Sequence, residues 1–132
     1  MRIKLYIIGL IYLFIFCINC DYKRGIEKVL INNCYWDICD KENNYNGNYS
    51  WKFSSQGKCQ YFSYNYSNGE KRSVSIYKGG RPDIWSIKED TLNARFTKLI
   101  IKRYNSDTIF LIGYNSNDKI MLIKNCRNYV VE

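Results

Sequence analysis

Reactive chemistry in this chain rests on its cysteines and acids, because the sequence contains no histidine. That absence removes Ser-His-Asp and Cys-His nucleophiles and most zinc sites. Six cysteines are present, and Cys17 and Cys20 form the single Cys-x-x-Cys pair. With no second such pair and no imidazole, four metal ligands cannot be gathered around them. Glu89 and Asp90 stand together between two apolar alternating runs, which suits a hairpin turn better than a catalytic acid. The loop KGGRPD (78–83) could offer Arg81 to an anion through a glycine-rich backbone, or be a plain connection. No phosphate loop or dinucleotide fingerprint occurs. These residues point to binding rather than catalysis, with no metal and no cofactor.

The position of Cys17 and Cys20 explains them better than their spacing. Arg2 and Lys4 are followed by an uncharged apolar run from Leu5 to Ile18, then by Cys17-Ile18-Asn19-Cys20 and the polar Asp21-Tyr22-Lys23-Arg24. A basic start followed by an apolar stretch of this length is an export-signal pattern, short for a membrane span of about 20 residues. The segment resembles the signal of a bacterial lipoprotein. That resemblance implies a signal peptide over residues 1–19 and acylation of Cys20 by chains such as palmitate. It thus implies a lipid anchor at the cell membrane or outer membrane, facing periplasm or exterior. Each buried CH₂ contributes about 0.8 kcal/mol, and more than one chain is needed for stable anchoring.

Removing residues 1–19 leaves one domain's length of chain. Arg2 and Lys4 hold two of the eight net positive charges, and the rest are spread along the sequence. Cys34, Cys39, Cys59 and Cys126 then form an even set in an oxidising compartment. The expectation is two disulfides: Cys34 or Cys39 bonded to Cys126, joining the first and last strands, and Cys59 bonded to the other. Export also argues against nucleic acid as a partner.

The elements that must carry these residues are strands. After a polar tether (20–28), the domain is expected over 29–132 as an all-β antiparallel meander of about eight strands, closed into a small barrel. Runs such as Tyr49–Phe53, Cys59–Tyr66, Val74–Tyr77, Ile84–Lys88, Thr108–Tyr114 and Lys119–Lys124 alternate or are β-branched, and turn-rich KENNYNGN, SNGE and NSND separate them. Alternation puts Tyr61 on one face of its strand with Ser63 and Asn65, and Phe62, Tyr64 and Tyr66 on the other.

WSIKEDTL (85–92), NSDTIFLI (105–112) and KIMLIK (119–124) resemble the second half of small bacterial lipocalin-like (calycin) lipoproteins. The resemblance implies a lipocalin-like barrel with Trp36 of Cys34-Tyr35-Trp36 at its floor, Cys34 standing where the family has glycine. It also implies a basic residue, Lys124 or Arg127, lying over that indole. The aromatic strands suggest that Tyr61, Tyr64 and Tyr77, with Arg81, form a binding surface. Its expected partner is an envelope protein, such as a toxin to be neutralised. The alternative is a small apolar ligand carried inside the barrel.

Overall fold

The computed structural model describes residues 7, 8 and 11 and residues 24–40, 48–74, 83–95 and 97–127. The rest of the expected signal peptide, with Cys20, Tyr77 and Arg81, lies outside the described residues.

Apolar residues that alternate with polar ones can bury one face of a strand, and several of the strands here do so. Among the described residues nine antiparallel strands form: β1 Tyr35–Asp40, β2 Tyr49–Phe53, β3 Cys59–Asn65, β4 Glu70–Ser73, β5 Trp85–Lys88, β6 Thr91–Ala94, β7 Thr97–Tyr104, β8 Thr108–Gly113 and β9 Lys119–Asn125. In β5, Trp85 and Ile87 turn inward while Ser86 and Lys88 face solvent. Asn68-Gly69 makes the β3–β4 turn with Gly69 at φ 71°, where glycine avoids the Cβ clash. Glu89 takes a positive φ of 56° in the β5–β6 turn expected from Glu89-Asp90.

The strands lie in the order β4-β3-β2-β1-β9-β8-β7-β6-β5. Two meanders are thus joined by the pairing of β1 with β9, which runs from Tyr35↔Asn125 to Asp40↔Ile120. The sheet curls into a half-barrel. The start of β3 meets the start of the edge strand β5, where Lys58 bridges Ile84 and the Cys59 amide donates to the Asp83 carbonyl at 2.8 Å.

The concave side is filled by Trp36, Trp51, Phe53, Trp85, Ile87, Leu92, Leu99, Ile101, Ile109, Leu111 and Leu122. A short helix over residues 24–30 closes one end of this core. Ile26 and Leu30, one turn apart, are fully buried, and the Trp36 Nε1 donates to the Leu30 carbonyl at 3.2 Å. At Gly25 a Cβ would stand 2.7 Å from the Tyr104 hydroxyl, so a side chain there would displace that hydroxyl.

Two expectations change. The strands number nine among the described residues rather than about eight, and one of them is Glu70–Ser73, directly after the Asn-Gly turn. Of the strand expected at Val74–Tyr77, residues 75–77 lie outside the described residues. Residues 24–28, expected in a polar tether, belong to the helix that packs on the core.

Candidate functional site

Two clusters form on opposite faces of the β1–β4 half of the sheet. The convex one starts from alternation: register pairs Asp37 with Ser50, Ser50 with Phe62 and Tyr64 with Lys71. These residues therefore share a face. Lys71 is only 1% exposed. Its ammonium lies 3.0 Å from Asp37 Oδ1, contacts the Ser50 hydroxyl, and sits 4.9 Å from the Tyr35 ring centre and 5.7 Å from that of Tyr64. The Asn125 amide donates to the other Asp37 oxygen at 2.6 Å. Phe62 meets Tyr35 edge-on at 5.1 Å, and Tyr64 meets Tyr66 edge-on at 4.7 Å. Burial raises the Tyr35 phenol above its ordinary pKa. Tyr66, 62% exposed, carries this aromatic row out to solvent.

The concave cluster surrounds Tyr61. Its ring stacks on Tyr49 at 5.3 Å, and the Arg95 guanidinium lies 5.4 Å from its centre. Burial and then the neighbouring Tyr49 raise the Tyr61 pKa, against the pull of Arg95. Arg95, at φ 57° just after β6, has a side chain 9% exposed and is fixed by Asp83 at 2.8 Å. Among the described residues, two buried donors here have no acceptor: Arg95 Nη1 and the Nε1 of Trp51, which pairs across the ladder with Tyr61.

Tyr61 and Tyr64 are thus brought to the same strand but to opposite faces, as alternation requires; they do not form one surface. Trp36 is fully buried at the helix-capped end. Lys124 stands directly across from it in the β1–β9 ladder. Its ammonium is taken by Asp107 at 2.7 Å and the Ser106 carbonyl at 2.9 Å, instead of lying over the indole. The Lys124 and Ser106 bonds lower the Asp107 pKa.

Of the expected disulfides, Cys34–Cys126 forms, with Cα atoms 4.4 Å apart. Cys39 and Cys59 remain free thiols, which corrects the second pairing. Cys59 pairs with Phe53, and the β1–β2 register places that residue level with Cys34. Cys39 lies five residues farther along β1, roughly 17 Å at strand rise, beyond the reach of a disulfide. Burial pushes the Cys59 thiol up to about 12, with Arg95 lowering and Asp83 raising it. Burial and Asp37 raise Cys39. A thiol so held is a poor nucleophile. Among the described residues, no three of Cys, Asp or Glu gather to hold a metal ion.

Lys71 and Arg95 were missed by sequence reasoning. Lys71 sits in Glu70-Lys71-Arg72-Ser73, which reads as solvent-facing, and only the register shows what it meets. No family model, curated protein or solved structure matches the chain.

Proposed function

We propose that this chain is an exported, lipid-anchored binding protein whose β domain engages another envelope protein without catalysis, in the manner of an immunity protein or inhibitor. The observation that carries this reading is the filled concave side. Trp36, Trp51, Phe53 and Trp85 are each no more than 8% exposed, and the helix adds Ile26 and Leu30 to the same core. Side chains of that size take the volume an enclosed apolar cargo would need. Aromatic contact area instead runs outward from Tyr64 to the exposed Tyr66, and tyrosine suits protein interfaces because few rotors are frozen on contact.

The test captures partners on the exported protein and compares the parent with Tyr66→Ala and Tyr64→Ala. One protein partner, bound at least about tenfold more weakly by Tyr66→Ala, is the expected result. A co-purified lipid or pigment with no protein partner would reverse the reading. On the same samples, Cys20→Ser should abolish fatty-acid labelling and membrane retention; no label on the parent would remove the anchor.

One observation favours the carrier alternative. The unpaired donors of Trp51 and Arg95 flank Tyr61 on the concave side, so a ligand with an acceptor head and an apolar body would satisfy both.

A further inference from the structure

We infer that the convex face of β7, β8 and β9 rests on anionic phospholipid headgroups and sets how the domain lies on its membrane. The inference rests on the membrane-tethered reading above and goes beyond it.

The face is built by a break in alternation. Leu99 and Ile101 of β7 point into the core, but the register shifts between Ile101 and Arg103, so Lys102 is an extra residue. Such a bulge re-aims the side chains that follow it. Arg103 consequently pairs with Phe110 on the convex side, its guanidinium 4.0 Å from the ring centre, while Tyr104 returns to the core. Lys102 and Arg103 are both exposed. Beside them a groove of about 180 Å³ is lined on the convex side by Phe110, Ile112 and Met121 and ends at Lys119; Ile120, which also borders it, packs on the core. Ile123, 38% exposed, continues the apolar strip along β9.

The lining holds three cations and no acid. Of the acids in the flanking turns, Asp107 is paired with Lys124, while Asp118 accepts from the Ser116 hydroxyl at 2.7 Å and keeps its charge, so the face remains net positive. Apolar side chains framed by cations match a headgroup layer, where phosphates meet the cations and the first acyl carbons meet the apolar strip.

The chain path favours a bilayer over an acidic protein as the occupant. Gly25 packs against Tyr104, the residue after Arg103. From Gly25 back to Cys20 is five residues, which reach at most roughly 18 Å when fully extended. Lipid at Cys20 would therefore hold this end of β7 close to the headgroups, and that tether adds Lys23 and Arg24 to the same electrostatic field.

The test reconstitutes the full chain with vesicles of phosphatidylglycerol or of phosphatidylcholine. Exposed lysines are then acylated with a water-soluble succinimidyl ester and quantified by mass spectrometry. Labelling of Lys102 and Lys119, relative to the exposed Lys58 beside β3 in the other half of the sheet, should fall about tenfold with phosphatidylglycerol and recover at high salt. It should not fall with phosphatidylcholine. Lys102→Glu combined with Arg103→Glu, read at Lys119, should abolish the protection; Lys119→Glu, read at Lys102, should weaken it. Equal labelling in both lipids, or protection that survives these reversals, overturns the inference and returns the face to an acidic protein partner. Protection that needs phosphatidylglycerol in a chain that carries no acyl group would support the inference while the lipid-anchor reading failed.

Discussion

Lys71 shows how far a residue's surroundings can depart from its neighbours in sequence. It lies between Glu70 and Arg72, yet is 1% exposed, with its stem covered and its ammonium held by Asp37, Ser50 and two tyrosine faces. Removing a charge from water is costly, so the two partners are not equally dispensable. Asp37→Ala leaves a buried ammonium without its counter-charge and should cost about 3–5 kcal/mol. Lys71→Met keeps most of the stem, and Asp37 keeps the Asn125 amide and the Ser50 hydroxyl, so its cost should be smaller. Denaturant midpoints at equal slope measure both. If Lys71→Met proves the more damaging, cation–aromatic contact rather than the ion pair holds this site.

At the scale of elements, the seven helical residues 24–30 do more than their length suggests. So short a helix is not stable alone. It persists because Ile26 and Leu30 bury one face against the core and Trp36 bonds the last carbonyl. Ile26→Ala should therefore destabilise the domain by about 2–5 kcal/mol, with the loss of helix and sheet coinciding in circular dichroism and tryptophan fluorescence. Lys28→Ala, at an exposed position of the same helix, is the comparison and should change little. A helix that melts separately while the strands persist would show that it is only appended. The β7 bulge was legible in principle: Leu99 and Ile101 face inward two apart, but the next inward residue is Tyr104, three farther on. Lys102 and Arg103 are both tolerated by solvent, so polarity alone does not reveal which is extra.

For the molecule as a whole, the decisive contact is between its first and last strands. Cys34–Cys126 closes a span of 92 residues. Chain-entropy reasoning puts its worth at about 4–5 kcal/mol. Cys126→Ser should lower stability by that order in denaturant, without moving the β1–β9 register. Non-reducing mass analysis should find this one bridge, with Cys39 alkylated in the native protein and Cys59 only after unfolding, since Cys59 is buried and its thiol titrates near 12. A Cys39–Cys59 bridge in the exported protein would refute the register that separates them.

The strands and their turns were legible because they rest on neighbours in the chain. Alternation in Tyr49–Phe53 or Trp85–Lys88 depends on a two-residue repeat, and Asn68-Gly69 or Glu89-Asp90 turns the backbone locally. The exception is β4, which is Glu-Lys-Arg-Ser: its inward and outward residues are all polar, so no alternation marks it. Tyr61 and Tyr64 were correctly assigned to opposite faces for the same local reason, but which face would be core was not. That depended on which strands became neighbours. The sequence could make Cys34 or Cys39 the partner of Cys126; the β1–β9 register chose Cys34, because it alone stands level with Cys126 in the ladder. The burial of Lys71 against Asp37 and the placing of Arg95 over Tyr61 likewise require strands or loops 34 residues apart to meet. Contacts of that separation are selected by the joint packing of a whole sheet around one core, and no window of a few residues contains that information.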